Sequence, residues 1–247
     1  MLRLLRLELL RMVRNSPYLI FVLALPAGFY LLYTHMYNAG GTLGHTTWGA
    51  YSMVSMAVFG GIGAALNTLG TRFAAERTSG WTRLLRTTPL SAGAYVSAKI
   101  AAAMLSAIPA IALLLLLGGA VNGIALPMGT WVAVGGLVLL GVLPFAALGL
   151  VLGFLFDSSA AQPVQVILWL ALSMLGGLWT PLKFLPAVFS RIAPWLPSFR
   201  AADLAWGALG AGSRSAVQDI LLLLAYTLVL GALGAVRYRR DAQREYA

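Results

Sequence analysis

Two long stretches of the chain contain no charged side chain, and they limit what the chain can fold into. Residues 15–71 and 100–156 lack Asp, Glu, Lys and Arg altogether. A helix that crosses the hydrocarbon core of a bilayer needs about 20 apolar residues, so each stretch can supply two crossings. Only 10% of the 247 residues are charged and 60% are apolar, whereas soluble domains carry about 25% charged residues. These proportions exclude a water-soluble globule and indicate an integral membrane protein.

Turn-forming residues divide both stretches in two, at residues 38–45 and 122–129. Two further apolar runs follow later in the chain. Residues 113–117 are consecutive leucines, and such runs do not alternate as the strands of a membrane barrel do. The pattern therefore predicts a single all-α membrane domain with six transmembrane helices. The predicted spans are about 18–37, 48–71, 96–119, 131–155, 162–180 and 217–236.

The distribution of the 17 positive residues predicts the orientation of these spans. Most of them lie in residues 1–17, in residues 72–95 between spans two and three, and in the tail 237–247, whereas the loops 38–47 and 120–130 have none. By the positive-inside rule, both termini are expected in the cytoplasm. The excess of arginine over lysine is typical of a GC-rich bacterial genome, so we expect a multi-pass protein of a bacterial cell membrane. The long apolar stretches make a nucleic-acid partner improbable.

Residues 1–17 have the pattern of an amphipathic helix. Leucines recur at steps of three and four residues on one face, and Pro17 ends the helix. The opposite face carries Arg3, Arg6, Arg11 and Arg14. The segment is predicted to lie in the cytoplasmic membrane interface, in contact with lipid headgroups. A simple membrane anchor and a docking site for a partner protein fit this pattern equally well.

The segment 72–95 is predicted to contain a short cytoplasmic helix that Thr78 or Ser79 caps and Pro89 ends. Its apolar side carries Trp81, Leu84 and Leu85, and its charged side carries Arg83 and Arg86. Trp and Arg are enriched where proteins dock, which favours a protein partner. A loop that lies on lipid headgroups is the alternative, and the residues alone slightly favour it.

Residues 181–215 contain several prolines that divide the segment into helical pieces too short to span a membrane. Leu182, Leu185, Phe189 and Ile192 recur at steps of three and four residues. Short helices that re-enter the membrane are favoured, and helices on the outer surface are the alternative.

Sequence motifs of catalysis are absent. The chain has no cysteine, no phosphate-binding glycine loop and no zinc-protease or nucleophile-elbow motif. We therefore expect no catalytic residue, no metal site and no enzymatic activity in this chain. Glu76, Asp157 and Asp219 lie at predicted span ends, where solvated end charges are expected. No predicted span pairs a buried acid with a facing base, so a proton relay is not expected.

Four short patterns occur in order along the chain. They are Arg14-Asn15-Ser16-Pro17, the spaced residues Glu76, Gly80, Leu84, Pro89 and Leu90, then Lys99, and finally Gly177, Trp179 and Pro181 followed by Leu185-Pro186 and Leu196-Pro197. With these patterns the chain resembles the permease subunits of type-2 ATP-binding-cassette (ABC) exporters along nearly its whole length.

The resemblance implies a partner and a role for the segment 72–95. In such exporters two permease copies work with two copies of a separate ATPase subunit, which binds ATP and magnesium, so this chain itself would hold no cofactor. A homodimer of the chain is expected. The resemblance also favours docking on the ATPase over the headgroup-lying alternative. The implied ATPase-coupling residues are Glu76, Arg77, Gly80, Trp81, Arg83, Leu84, Leu85, Arg86 and Pro89.

The resemblance further implies that spans two and five line the transport pathway and that the helices after span five cap it. The candidate pathway residues are Tyr51, Phe59, Asn67, Gln165, Trp169 and Ser173. The candidate outer-gate residues are Trp179, Pro181 and Pro186.

An apolar, aromatic interior suits a hydrophobic or amphipathic cargo. We therefore expect ATP-driven efflux of a drug, an antibiotic or a lipid-like molecule by alternating access, with resistance as one possible outcome for the cell. An ATP-independent channel or carrier remains an alternative, although no polar pore ring is evident. A membrane scaffold without transport is a second alternative.

Overall fold

Helices form most of the computed structural model, which describes residues 16–80 and 92–244, with side chains described for 21–80 and 95–237. A short antiparallel hairpin joins β1 (Thr42–Leu43) to β2 (Thr46–Thr47). Single 3-10 turns occupy Leu182–Phe184 and Ala193–Trp195. The α-helices are α1 (Ser16–Met36), α2 (Trp48–Leu69), α3 (Thr71–Thr78), α4 (Ala92–Ala120), α5 (Met128–Leu155), α6 (Ser158–Leu175), α7 (Ala187–Ile192), α8 (Pro197–Gly207) and α9 (Ala216–Arg244).

Five helical segments within the described side chains are long and apolar enough to cross a membrane. They are Trp48–Thr78, Tyr95–Ala120, Met128–Leu155, Ser158–Leu175 and Ala216–Arg237. This confirms the prediction of an all-α membrane protein. The first predicted span corresponds to α1, whose described apolar part, Phe21–Met36, is shorter. The number six therefore stays a prediction.

Helix α2 forms the centre of the bundle. Its residues are buried from Gly49 to Leu69, except for Tyr51, which is half-buried. Helices α1, α4, α5, α6 and α8 all pack against it. Glycine permits close approaches of these helices; for example, a Cβ atom on Gly61 would lie 2.8 Å from Cγ2 of Val142 in α5. The run of small residues in α2 therefore serves helix packing.

The fifth predicted span ends earlier than expected, at Leu175 rather than near residue 180. Gly177 adopts the left-handed conformation (φ +71°), and the Leu178 N–H donates to the Ser173 carbonyl. This is the glycine-dependent ending that closes many helices. The last helix instead continues to Arg244, past the predicted end at 236, because no proline or glycine interrupts its basic tail.

Within residues 181–215, helix α8 is buried against α5 and α9. Gly141, near the middle of α5, approaches it so closely that a Cβ atom there would lie 2.6 Å from the Cβ atom of Ala201. The Tyr226 hydroxyl of α9 donates to the carbonyl of Trp195, just before α8. Helix α8 thus reaches the middle of the bundle, as a re-entrant helix would. Its depth in a bilayer stays a prediction.

The two ends of the bundle differ in what they carry. We name the end that bears β1 and β2 the hairpin end. We name the end that bears α3 the elbow end, after the break between α2 and α3 at Gly70.

Candidate functional site

The elbow begins at Gly70, which joins α2 to α3. Its N–H donates to the carbonyl oxygen of Leu66 at 2.5 Å. A Cβ atom at this position would lie 2.6 Å from the same oxygen. Only glycine fits such a close approach, so the break between α2 and α3 depends on this residue.

Helix α3 lies against the last turns of α5, and glycine again permits the contact. A Cβ atom on Gly153 would lie 2.6 Å from both the Leu69 carbonyl oxygen and Cδ1 of Phe73. Phe73 is fully buried, and its ring meets that of Phe154 edge to face at 4.8 Å. The elbow is therefore a close-packed joint, in which a small displacement of α3 must move α5 or break the packing.

Three polar contacts also tie α3 to its neighbours. Glu76 Oε2 lies 2.5 Å from Lys99 Nζ of α4. Arg77 Nη1 donates to the Gly153 carbonyl of α5 at 2.5 Å. The Thr71 hydroxyl donates to Gln165 Oε1 of α6 at 2.5 Å. Helix α3 is thus joined by side chains to three long helices at once.

These contacts correct one expectation for Glu76, which is not a solvated end charge. Its side chain is 15% exposed, and that of its partner Lys99 is 3% exposed. Sequence reasoning did not place Lys99 in the site, although it noted Lys99 as a family-like residue. Gly80, two residues after α3, adopts the left-handed conformation (φ +76°) that explains a glycine there.

The remaining predicted coupling and interfacial residues lie outside the described residues, and their roles stay predictions. They are Trp81, Arg83, Leu84, Leu85, Arg86 and Pro89, together with Arg3, Arg6, Arg11 and Arg14.

A column of aromatic rings begins between α2 and α6. The Trp169 indole N–H donates to the Phe59 carbonyl at 2.8 Å, and the two rings stack with centroids 4.5 Å apart. Gly63 makes room for the indole, since a Cβ atom there would lie 2.5 Å from it. Phe29 of α1 continues the column to Trp179, with centroids 5.5 Å apart.

Most of the candidate pathway residues are buried within the single chain. Asn67, Gln165 and Ser173 are all at most 4% exposed, and Phe59 and Trp169 are equally enclosed. Tyr51 is half-buried, stacks on Trp206 at 4.3 Å and borders a cavity at the hairpin end. Because these five side chains fill the interior of one copy, their part in a transport pathway stays a prediction.

Two adjacent pockets open at the hairpin end. The first has a volume of about 450 Å³, and the second about 390 Å³. Leu43, Pro181 and Lys183 line both pockets. Of the candidate gate residues, Trp179 and Pro181 line the first pocket, whereas Pro186 is exposed and precedes α7.

A buried ion pair joins α8 to α9 at the hairpin end. Arg200 Nη1 donates to Asp219 Oδ1 at 2.7 Å, and the two side chains are 6% and 1% exposed. Arg200 Nε also donates to the carbonyl of Pro194 at 2.6 Å. Asp219 is therefore not the solvated end charge that its position predicted, and a long apolar helix does contain a buried acid. No local sequence pattern indicates the pair, because the two residues are 19 positions apart and lie on different helices.

Asp157 does lie in solvent, as predicted, and it caps α6. Its carboxylate accepts the N–H groups of Ser159 and Ala160. The Ala160 N–H and the Ser159 hydroxyl hold the pKa of Asp157 below its ordinary value.

Comparison with known proteins identifies the family of the chain. Residues 40–236 match the model of the family described as ABC-2 family transporter protein. The chain belongs to the ABC-2 transporter family. It is also 32% identical over 236 residues to a Bacillus subtilis (strain 168) protein named "Putative transport permease YvfS". That match covers 95% of this chain and 96% of the relative. The resemblance to type-2 ABC permeases is thereby confirmed, and a multi-pass membrane transport subunit is supported over an enzyme.

Proposed function

We propose that this ABC-2 permease is the membrane subunit of an ATP-driven exporter whose power comes from a separate ATPase chain. The observation that carries the proposal is the elbow. Helix α3 forms the first part of the predicted docking segment, residues 72–95. Its side chains Glu76, Arg77 and Thr71 join it to α4, α5 and α6. A push on the docking segment would therefore reach three long helices through one short rigid helix.

In this proposal the elbow end faces the cytoplasm, as do both termini, and six helices cross a bacterial cell membrane. Two ATPase subunits, which hold the ATP and magnesium, dock on residues 72–95 of two permease copies, and the basic helix 1–17 lies beside them. The positive residues of these segments support this orientation. A second copy of the chain would complete the pathway.

The elbow would convert ATPase movement into helix movement. When the ATPase dimer closes on ATP, it displaces the docking segment and with it α3. Because Gly153 leaves no space between α3 and α5, the displacement is passed to α5 rather than absorbed. Thr71 passes it to α6 through Gln165. The bundle then alternates between inward-facing and outward-facing states, each favoured by one state of the ATPase.

The cargo would be hydrophobic or amphipathic, such as a drug, an antibiotic or a lipid-like molecule. The aromatic column of Phe29, Phe59, Trp169 and Trp179 supports this class, because aromatic walls bind apolar bodies and offer little to a hydrated inorganic ion. Efflux and resistance would follow if the cargo is toxic to the cell.

The test is to co-express the chain with an ABC ATPase encoded beside it and to measure ATP hydrolysis in nanodiscs. The variant Arg83→Glu with Arg86→Glu reverses the charge of the docking segment. The matched control, Arg191→Glu with Arg214→Glu, makes the same change in charge at two exposed arginines of the hairpin end. We expect the first variant to lose co-purification or stimulated ATP hydrolysis, and the control to keep both.

Two results would contradict the proposal. One is a wild-type complex that neither forms nor hydrolyses ATP. The other is a docking-segment variant that behaves as the hairpin-end control does.

A further inference from the structure

We propose that the 450 Å³ pocket at the hairpin end is a binding site for an amphipathic anion, a molecule with an apolar or ring-shaped body and one negatively charged group. Its volume lies within the range of small-molecule sites, about 300–1,000 Å³. The walls come from four segments, the end of α1, strand β1 with Gly41 before it, the start of α2 and the residues after α6. Its lining includes Tyr33, Tyr37, Trp48, Trp179, Lys183 and Phe184.

Five of the eleven residues that line the pocket are aromatic. Tyr33 and Tyr37 come from α1 and the turn after it, and the ring of Tyr37 meets that of Trp48 edge to face at 5.3 Å. Trp179 and Phe184 provide the facing wall. Flat rings on several sides favour a ligand with a planar or apolar body.

Lys183 gives the pocket its charge preference. Among the described residues that line the pocket it is the single formally charged one, and no carboxylate lines it. Its Nζ atom lies 4.9 Å from the centroid of the Phe184 ring, at the edge of the pocket. An ammonium group beside an apolar cavity attracts an anion whose body fills the cavity.

The adjacent 390 Å³ pocket is less suited to an anion. Asp203 lines it, and its carboxylate already accepts the N–H and the hydroxyl of Ser213. A negative ligand there would meet a negative carboxylate. This contrast places the anion in the first pocket, although Lys183 borders both.

The walls of the first pocket are held in place without a ligand. The Trp48 indole N–H donates to the Tyr33 carbonyl at 3.3 Å, and the Trp48 backbone N–H donates to the Gly41 carbonyl at 2.7 Å. A preformed site loses less entropy when it binds.

Two sources could supply such a molecule. One is the cargo of the proposed exporter, and this source rests on the proposed function. The other is an anionic phospholipid of the surrounding membrane. The shared chemistry is an anionic group on an apolar body, and the experiment separates the sources.

The test uses the purified full-length chain in phosphatidylcholine nanodiscs, without any ATPase, so its failure would leave the proposed export function untouched. Two probes share nearly the same ring system: anilinonaphthalene sulfonate is an anion, and phenylnaphthylamine is neutral. Binding is read from energy transfer between tryptophan and the probe, with empty nanodiscs as background. The variant is Lys183→Glu, and the matched control is Arg191→Glu, an exposed cation of the same segment outside the pocket.

We expect the sulfonate to bind saturably to the wild type. Lys183→Glu should raise its Kd by about tenfold or more, because roughly one charge-assisted contact is lost. Arg191→Glu should leave it unchanged, and neither variant should alter binding of the neutral probe. The proposal is overturned if the sulfonate does not saturate, or if both variants weaken it equally, which would indicate a general surface potential.

Native mass spectrometry of the chain from phosphatidylglycerol-containing nanodiscs identifies the source. A phosphatidylglycerol molecule retained by the wild type and by Arg191→Glu, but lost from Lys183→Glu, supports the site with lipid as its occupant. Saturable sulfonate binding without retained lipid supports the site with a free amphipathic anion as its occupant.

Discussion

The elbow end and the hairpin end each contain an ion pair that is largely removed from water, and the two pairs differ in what surrounds them. Glu76–Lys99 lies at the elbow end, where Gly153 lets α3 pack directly against α5 and buried aromatic side chains fill the contact. Arg200–Asp219 joins α9 to α8, and α8 also contributes Phe199, Asp203 and Trp206 to the lining of the 390 Å³ pocket. A closed joint transmits displacement, whereas an end with cavities can admit a molecule. In the proposed exporter, force would enter at the elbow end and cargo would leave at the hairpin end.

The largest expected effect is at the hairpin end. Asp219→Ala leaves Arg200 buried without its carboxylate, which costs about 3–5 kcal/mol of unfolding free energy. Thermal unfolding in detergent should show a lower Tm. The double variant Arg200→Met with Asp219→Leu removes both charges and should stay near the wild type. A single variant as stable as the wild type would mean that the pair does not hold α8 in place.

A smaller effect is expected at the elbow, where Gly153→Ala forces an added methyl group against Leu69 and Phe73. Overpacking of this kind costs about 1–3 kcal/mol. It should also reduce the ATP hydrolysis that the permease stimulates in its partner. The control is Gly136→Ala on the same helix, which has nothing within 4 Å of the new atom. Equal effects of the two alanines would show that the elbow is not close-packed.

A substitution of Gln165 tests whether this residue belongs to the elbow or lines a transport pathway. Gln165→Met keeps the volume but removes the acceptor of the Thr71 hydroxyl, at a cost of about 0.5–1.5 kcal/mol. If Gln165 serves the elbow, ATP hydrolysis and transport become less tightly coupled for every cargo. If it lines the pathway, the relative rates for different cargoes change instead. Transport of two dissimilar cargoes per ATP hydrolysed separates the two roles.

The smallest effect concerns the cap of α6. Because Asp157 has a depressed pKa in the folded chain, its stabilisation is present above the ordinary pKa of 3.8 and is lost as the pH falls below it. Asp157→Asn keeps a capping side chain but does not titrate. The Tm of wild type and variant is measured from pH 6 to pH 3, in steps of about one pH unit. The difference between the two Tm values should shrink or reverse at the lowest pH. A constant difference would show that the cap is not ionised.

Charge distribution and hydropathy predicted the class and most of the helices, because a membrane span depends on local composition. The same local reasoning was wrong about Glu76 and Asp219, which it placed in solvent. Their partners, Lys99 and Arg200, lie 23 and 19 residues away on other helices, and the pairing depends on how those helices cross.

Small residues are easier to interpret than polar ones, because their spacing along a helix indicates a packing face. Gly60 and Ala64 in α2, and Gly149 and Gly153 in α5, have this spacing. In the structure Gly61 packs against α5 and Gly153 against α3. Gly70 has no such sequence signal, and its importance comes from a backbone distance that only the folded chain defines.

The most direct measurement is ATP hydrolysis by the reconstituted complex when the elbow ion pair is reversed. Glu76→Lys and Lys99→Glu are made singly and together, and binding of the ATPase is checked in each case. We predict that each single variant binds the ATPase but loses cargo-stimulated hydrolysis, and that the double variant recovers part of it. Hydrolysis that is as strongly cargo-stimulated in the single variants as in the wild type would contradict the elbow as the route of coupling.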